Sequence, residues 1–385
     1  MKYDYDGREL WFAAKPEYWD EPRDPVTDVL KSYGYHMIRE GNVKFDLVRY
    51  IDSPVGEARM KMIKLSLTHR YGHEPEVIEH WKNRGIAKTV HYDDGVRGNW
   101  ASYLPIRRRS ADKLPLVIQT NLDFFDMENH GFVDLAADGP EDLAVITAAT
   151  LDVESIDALI DKAVAEFDVD PQRVYISGMS YGGIMASWHA IRHAKRIAAA
   201  NSLNICYHYN LPGDPMKMYP DKYCDERDAN TPRLIKQVSK IKMPVIITGG
   251  LNESTNNPIF PISTRFYEQG GAGPAAMHNL RGLDMWCEIN GLRRYNFAED
   301  VPKAWASDDP VERAIGVPVD KGWIENQLGV NSYFGELYGP DGVAYLRMIA
   351  TENNCHDVFP CSAKDVWDFF KRFRRNIETG ELIVT

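Results

Sequence analysis

The chain has 385 residues, of which 44% are hydrophobic and 26% charged, and this ordinary composition allows a sizeable globular core. The net charge of −11 argues against nucleic acid or an anionic membrane as the main partner. No stretch approaches the ~20 apolar residues of a membrane span, and the N-terminus lacks the apolar core of a signal peptide, so we expect a cytoplasmic protein.

Residues 1–85 mix aromatic, charged and proline residues, and we interpret them as an N-terminal extension packed on the main domain, with one helix near 75–83. From residue 86 to residue 385, apolar runs alternate with amphipathic segments, which is typical of a single catalytic domain. Strands are predicted at 87–92, 100–105, 114–119, 143–148, 173–177, 197–204, 244–249 and 343–350, and helices at 129–138, 153–167, 181–194 and 363–374.

Eight strands that alternate with helices predict an α/β fold, with a mostly parallel sheet covered by helices on both faces. Two long segments, about 205–240 and 266–340, interrupt this alternation, and residues 205–231 fit no regular element. Because insertions of this kind commonly carry binding residues, we expect them to form cap-like insertions over a cleft.

The strongest motif is G-x-S-x-G, with Ser180 between Gly178 and Gly182, directly after the β-forming run Val174–Ile176. A strand, a sharp turn and a helix at this point would form a nucleophile elbow, in which small flanking residues let strand and helix pack closely. The alternative is a chance match, since a pattern of five residues with two glycines is common.

Several segments in order resemble α/β-hydrolase esterases of the poly(3-hydroxybutyrate) depolymerase and feruloyl-esterase branch. DVDPQRVYISGMSYGGIMA is similar to the branch's D-P-x-R-V-Y-x-x-G-x-S-x-G-G pattern, and KLPLVIQTN resembles the strand that enters the oxyanion loop. ENNCHDVFPCSAKDVWDFFKRF resembles the histidine loop and the helix after it, although Asn354 and Cys355 replace the usual glycines. The resemblance covers residues 86–376 and implies an α/β-hydrolase fold with an eight-stranded sheet.

In this fold the triad follows the chain order serine, acid, histidine. His356 follows the last predicted strand and is therefore the expected base. Glu253 follows the strand PVIITG and is the expected acid, while Asp284 and Asp357 remain alternatives. The resemblance implies attack by Ser180 on an ester carbonyl, an acyl-enzyme and its release by water.

The oxyanion hole needs two backbone N–H groups. We expect one from Tyr181 and the other from Leu122, with Asn121 as the second choice. Phe124, Phe125 and Trp286 are the predicted substrate-binding aromatics, although a role in the hydrophobic core suits any one of them equally well.

The favoured function is a serine carboxylic ester hydrolase that acts on a small feruloyl, cinnamoyl or other aromatic ester. A short-chain hydroxyalkanoate or acetyl esterase, and a catalytically inactive binding protein on the same scaffold, remain alternatives. A serine peptidase of the prolyl-oligopeptidase type is another, but its usual N-terminal propeller is far longer than the residues that precede the domain here. A small-molecule ester is thus the expected partner.

We expect no cofactor. We also expect no metal, because the cluster His69, His73, Glu74 and His80 lacks the HExxH spacing and precedes the catalytic domain. Five cysteines without a CxxC pair argue against a disulfide framework, while a bridge between Cys355 and Cys361 stays open. The oligomeric state also stays open, and a homodimer is one assembly that the sequence allows.

Overall fold

A computed structural model of the protein describes residues 2–5, 8–11, 53–69, 72–92, 99–120, 128, 130–149, 153–204, 206, 241–251, 259–262, 278–354 and 356–385. Its strands are β1 Lys2–Tyr5, β2 Arg8–Trp11, β3 Ile86–His91, β4 Trp100–Pro105, β5 Leu114–Thr120, β6 Ala144–Ala148, β7 Val169–Met179, β8 Ala199–Leu203, β9 Val245–Gly250, β10 Lys321–Gln327, β11 Val330–Tyr338, β12 Ala344–Thr351, β13 Phe373–Arg375 and β14 Leu382–Val384. Its helices are α1 Pro54–Thr68, α2 Pro75–Asn83, α3 Phe132–Asp138, α4 Val153–Glu166, α5 Tyr181–Arg192, α6 His278–Asn290, α7 Phe297–Ala306, α8 Pro310–Ile315 and α9 Ser362–Phe370.

Ten of the strands form one sheet in the spatial order β10-β11-β12-β9-β8-β7-β5-β6-β4-β3. The six strands from β12 to β6 are parallel to their neighbours, whereas both edges of the sheet are antiparallel. The eight strands predicted from the sequence are all present, and their spatial order is that of the α/β-hydrolase fold, with Ser180 directly after the fifth of them.

The sheet has two more strands than the sequence predicts. Residues 321–338, expected to belong to a cap-like insertion, instead form β10 and β11 and extend the sheet beyond β12. β10 is an edge strand with mostly exposed side chains, so it lacks the apolar run or regular alternation by which strands are identified in a sequence. Helices α6 to α8 account for most of the preceding part of that segment.

Hydrophobic side chains alternate between the two faces of the sheet and build two separate core clusters. In β5, Leu116 and Ile118 belong to one cluster and Val117 to the other, as the period of two along a strand requires. The first cluster also receives the buried faces of α4 to α6, and the second those of α2, α3 and α9. Helices therefore cover both faces. Phe369 and Phe370 of α9 lie three and four positions after Val366, as one buried helix face requires, and all three belong to the second cluster together with Phe373 of β13.

Helix α1 begins with a cap that is visible in the sequence. The Ser53 hydroxyl accepts a hydrogen bond from the Gly56 N–H at 3.2 Å, and Pro54 occupies the first helical position, where a missing N–H costs nothing. Val55 and Ile63 are buried on one side of this helix. In the described part of the chain, no helix combines the length and apolar character that crossing a membrane requires.

Candidate active site

Ser180 has a backbone conformation that non-glycine residues rarely adopt. It lies between β7 and α5 with φ of 51° and ψ of −115°, and its side chain is half-buried. Such a conformation costs about 1–3 kcal/mol and persists only where the surroundings enforce it. Here the Ser180 N–H donates to the Leu203 carbonyl at 2.8 Å, while the Ser180 carbonyl accepts from the Ile184 N–H at 3.1 Å. The strand-turn-helix geometry expected of a nucleophile elbow is thus present.

The two glycines of the motif have a steric reason. A Cβ on Gly178 would lie 2.1 Å from the Gly182 carbonyl oxygen and 2.8 Å from that of Thr120, far inside van der Waals contact. The Thr120 hydroxyl, at the end of β5, donates to the same Gly182 carbonyl at 3.0 Å. Only a residue without a side chain at position 178 therefore allows the strand and the helix to approach this closely.

The start of α5 provides an electrostatic environment suited to a developing negative charge. Tyr181 is the first residue of the helix, and the first N–H groups of a helix have no acceptor within the helix itself. Together with the helix dipole, such groups favour an anion at this end. The backbone N–H of Tyr181, the predicted oxyanion donor, therefore belongs to this end of the helix.

The strands around Ser180 end at a common edge of the sheet. Thr120 of β5 pairs with Gly178 of β7, and Leu203 of β8 pairs with Met179 of β7 on the other side. Thr351, at the end of β12, pairs with Gly250 of β9. Because ligand sites in open α/β sheets lie beyond the carboxyl ends of the parallel strands, this edge is the expected location of the cleft.

His356 lies on the loop between β12 and α9 and is half-buried. The residue after it is attached to the sheet through its backbone: the Asp357 carbonyl accepts from Nδ2 of Asn204 at 2.9 Å and from Nδ2 of Asn354 at 3.1 Å. Asn204 directly follows β8 and has a positive φ of 56°. Leu203 and Asn204 therefore connect the backbone of Ser180 with the loop that carries His356.

Both alternative triad acids have arginine partners. Asp357 accepts from Arg59 with both carboxylate oxygens, at 3.0 and 2.8 Å. Asp284 accepts from Arg294 at 2.7 Å, and burial raises the pKa of its carboxyl. Each of the two alternative acids is therefore held by an arginine, and Glu253 remains the predicted acid.

Several predicted site residues, namely Glu253, Asn121, Leu122, Phe124 and Phe125, lie outside the described residues, so their roles remain predictions. Trp286 is described: its side chain is fully buried in the first core cluster on α6. Of the two roles predicted for Trp286, substrate binding and core packing, its burial agrees with core packing.

Sequence reasoning missed the contacts of Thr120, Asn204 and Arg59. Thr120 and Asn204 each stand at or next to the end of a predicted strand, and no motif marks their contacts. Arg59 lies in the N-terminal extension, 298 positions before its partner. A sequence carries no signal for a side-chain contact between such distant positions.

The histidines of the cluster His69, His73, Glu74 and His80 contact groups other than one another. The rings of His69, His73 and His80 lie against the Leu65 carbonyl, the Tyr92 hydroxyl and the Trp81 indole, respectively. Within the described ranges, no three His, Cys, Asp or Glu side chains are grouped so that they could hold a metal ion.

The sequence model of the prolyl oligopeptidase family matches residues 149–212, a stretch that contains Ser180. No curated protein matches the chain significantly. Among solved structures, the chain is similar to an acetyl xylan esterase from Aspergillus awamori, with 12% identity over 74% of this chain and 99% of that chain and a TM-score of 0.43.

The fluorophosphonate-binding serine hydrolase FphF of Staphylococcus aureus is 13% identical over 53% of this chain and 98% of that chain, with a TM-score of 0.36. A thermostable esterase is 14% identical over 53% of this chain, with a TM-score of 0.34, and this chain spans 52% of its length. At such TM-scores the likenesses carry no argument about activity.

Proposed function

We propose that the chain is a serine hydrolase that cleaves carboxylic esters through an acyl-enzyme formed on Ser180. The observation that carries this proposal is the backbone of Ser180, which adopts a strained conformation directly before the N-terminus of α5. Strain of this kind concentrates at functional sites, since ordinary turns relax it by placing glycine there. Three hydrogen bonds, two of them with the neighbouring strands, support the conformation, and Gly178 leaves room for it.

In the proposed reaction the Ser180 Oγ forms a bond to the ester carbonyl carbon while its proton passes to His356. The backbone N–H groups of Tyr181 and Leu122 stabilise the oxyanion, a contribution worth about 10²–10³-fold per donor in related chemistry. The bond to the leaving oxygen then breaks, and His356 returns the proton to the departing alcohol. Water, deprotonated by His356, releases the acid, and Glu253 orients the imidazole throughout.

The proposed substrate is a small aromatic ester such as a feruloyl or cinnamoyl ester. Support comes from the esterase branch that the sequence resembles and from Phe124 and Phe125, which adjoin the predicted oxyanion donor. The burial of Trp286 removes one of the three aromatics from this argument. Short-chain hydroxyalkanoate or acetyl esters would use the same machinery with a smaller acyl group.

A second candidate is a serine peptidase. The match of the prolyl oligopeptidase family model to residues 149–212 favours it, because that stretch contains the elbow itself. Acyl transfer to and from Ser180 is the same for an ester and a peptide. The two candidates therefore differ in the leaving group and in the residues that bind it.

The deciding experiment compares 4-nitrophenyl acetate, methyl ferulate and a proline-containing peptide anilide as substrates. Wild type is expected to show a burst with the acetate and to turn over the ferulate, and a fluorophosphonate is expected to label Ser180. Ser180→Ala should lose roughly 10⁴-fold or more of the activity, because the remaining groups alone supply little catalysis. Ser110→Ala, at an exposed loop position, is the control and should behave as wild type.

A larger kcat/KM for the peptide anilide than for either ester would favour the peptidase. Turnover of the acetate without the ferulate would retain the esterase and reject the aromatic preference. If wild type is inactive and the fluorophosphonate leaves Ser180 unmodified, the proposed function is wrong.

A further inference from the structure

A buried ion pair connects helix α1 with the histidine loop. Arg59 Nε donates to one carboxylate oxygen of Asp357 at 3.0 Å and Nη2 to the other at 2.8 Å. The side chains are only 8% and 13% exposed. A bidentate arginine–carboxylate pair is strong and directional, since the planar guanidinium matches the two oxygens. It therefore determines the orientation of Asp357 as well as its position.

The positive charge of Arg59 balances the buried carboxylate of Asp357. His130 lies nearby, and burial together with the positive charge of Arg59 lowers the pKa of its imidazole to about 3. His130 is therefore neutral at physiological pH and does not balance Asp357. Arg59 supplies the balancing positive charge, and a buried carboxylate that loses its partner is strongly destabilised.

Helix α1 packs closely where the pair is formed. A Cβ on Gly131 would lie 3.0 Å from Cβ of Ala363 at the start of α9 and 3.2 Å from Cε of Met62 on α1. The loop before α3, the first turn of α9 and helix α1 thus meet at one place. Arg59 projects from a helix whose position is already set by packing.

Asp357 is consequently held at both its side chain and its backbone. Arg59 holds the carboxylate, while Asn204 and Asn354 donate to the carbonyl. Its neighbour in the chain is His356, the proposed base. Since a misplacement of about 1 Å at a catalytic group can cost roughly 10²-fold in rate, the attachment of the adjacent residue matters for catalysis.

We propose that Arg59 is a positioning residue, which acts through Asp357 to hold His356 in the orientation needed to deprotonate Ser180. This inference rests on the proposed function. It assigns a catalytic purpose to a helix that precedes all the strands of the main sheet. In this proposal Arg59 acts on His356 only through Asp357.

The test uses Arg59→Met, Arg59→Lys and the double variant Arg59→Met/Asp357→Asn in the full chain. For Arg59→Met we expect kcat with 4-nitrophenyl acetate to fall about 10–100-fold while KM changes less than about threefold, since orientation rather than binding is lost. Fluorophosphonate labelling of Ser180 should slow by the same factor. Arg59→Lys keeps the charge but not the two-point contact, so it should lie between wild type and Arg59→Met.

The double variant separates positioning from folding. Removing both charges should restore the stability measured by urea unfolding, because no buried charge is left without a partner. Its kcat should nevertheless remain low. The matched control is Arg84→Met, which removes an arginine that pairs with Asp134 and Asp138 on α3 and should change kcat less than about twofold.

Amide hydrogen exchange of residues 353–360 supplies a readout that is independent of activity. Exchange should accelerate in both variants with Met at position 59 but not in Arg84→Met. Wild-type kcat in Arg59→Met, or full recovery of kcat in the double variant, would overturn the inference.

Failure of the proposed function would look different, because wild type itself would then be inactive and unlabelled. In that case unchanged exchange in Arg59→Met would also exclude Arg59 as an anchor of the loop. Accelerated exchange would retain the anchor and reject its catalytic purpose.

Discussion

Ser180 has a strained backbone conformation that its neighbours hold in place. Its N–H is bonded to the Leu203 carbonyl, and the helix that follows begins one residue later. On the other side of the turn, Gly178 of β7 lies close to the Gly182 carbonyl, and the Thr120 hydroxyl of β5 donates to that carbonyl. The conformation is therefore a property of four neighbouring segments and is maintained by their packing.

Gly178→Ala tests this close packing. The added Cβ would lie 2.1 Å from the Gly182 carbonyl oxygen, so the strand and the helix must separate. We expect a loss of stability of several kcal/mol, together with loss of fluorophosphonate labelling. Urea unfolding measures the first effect and intact mass after labelling the second.

Gly342→Ala is the control for Gly178→Ala. Gly342 has a φ of 76°, but a Cβ there would meet no atom within 4 Å. It should therefore cost only about 1 kcal/mol, the conformational penalty alone, and leave labelling intact. Equal effects of the two substitutions would contradict the steric explanation.

Asp365 on α9 makes the stability depend on pH. Its side chain is buried, and both carboxylate oxygens lie near Nε2 of Gln327, at 3.1 and 3.0 Å. Burial raises the pKa of Asp365 to about 6. Because the folded-state pKa exceeds the unfolded one of about 3.9, the stabilisation from protonated Asp365 is complete below about pH 4 and is lost as the pH rises through 6.

Asp365→Asn should consequently stabilise the protein at pH 7.5 by roughly 1–3 kcal/mol and have little effect near pH 4. Urea unfolding at both pH values measures the difference. Asp368→Asn on the same helix is the control. Burial opposes ionisation of Asp368, but ion pairs with Lys364 and Lys371 outweigh it and lower the pKa of this carboxyl. Asp368→Asn should therefore not increase the free energy of unfolding at pH 7.5. If Asp365→Asn changes the free energy of unfolding by the same amount at pH 4 and at pH 7.5, the raised pKa does not belong to Asp365.

At the scale of elements, a buried charged cluster joins α2 to the first two strands of the main sheet. Glu128 Oε1 accepts from Trp81 Nε1 at 3.0 Å, from the Tyr103 hydroxyl at 2.6 Å and from Lys88 Nζ. The side chains of Lys88 and Glu128 are 0% and 2% exposed. Burial raises the pKa of Glu128 and lowers that of Lys88, so each depends on the other for its charge.

Lys88→Met should destabilise the protein by about 3–5 kcal/mol, because it leaves Glu128 buried without its cation. The double variant Lys88→Met/Glu128→Gln should recover most of that loss, since no buried charge then remains. A double-mutant cycle by urea unfolding measures the coupling. Additive losses in the double variant would show that the two side chains act independently.

At the scale of the whole molecule, a fully buried side chain, Arg375, helps to attach the C-terminal hairpin to the main sheet. Arg375 donates to the carbonyls of Ile197, Lys242 and Gly380 at 3.1, 2.8 and 3.0 Å. Burial lowers the pKa of its guanidinium to about 10. The three acceptors lie just before β8, just before β9 and between β13 and β14, so Arg375 links distant parts of the chain.

Arg375→Met should lower the free energy of unfolding by several kcal/mol, because it removes three charge-assisted hydrogen bonds and leaves buried carbonyls unpaired. Arg374→Met, at the neighbouring half-buried position, should stay within about 0.5 kcal/mol of wild type. Urea unfolding of both variants provides the comparison. Similar losses at the two positions would mean that Arg375 contributes only through packing.

The sequence by itself determined the α/β fold class, the eight alternating strands and the position of Ser180 after the fifth. These features depend on local sequence. An apolar run such as 114–119 indicates a strand that is buried on both faces, and the glycines beside Ser180 indicate that the strand and the helix pack closely. The buried face of α9 was likewise readable from its spacing of apolar residues.

Only the tertiary structure decided the rest. The exposed edge strand β10 has no hydrophobic pattern to reveal it, and Trp286 could belong to a pocket or to the core until its neighbours were known. The contacts of Asn204 and Arg59 with Asp357 join residues 153 and 298 positions apart. Such pairings depend on how the chain folds back on itself, because burial, charge balance and hydrogen bonding act between neighbours in space.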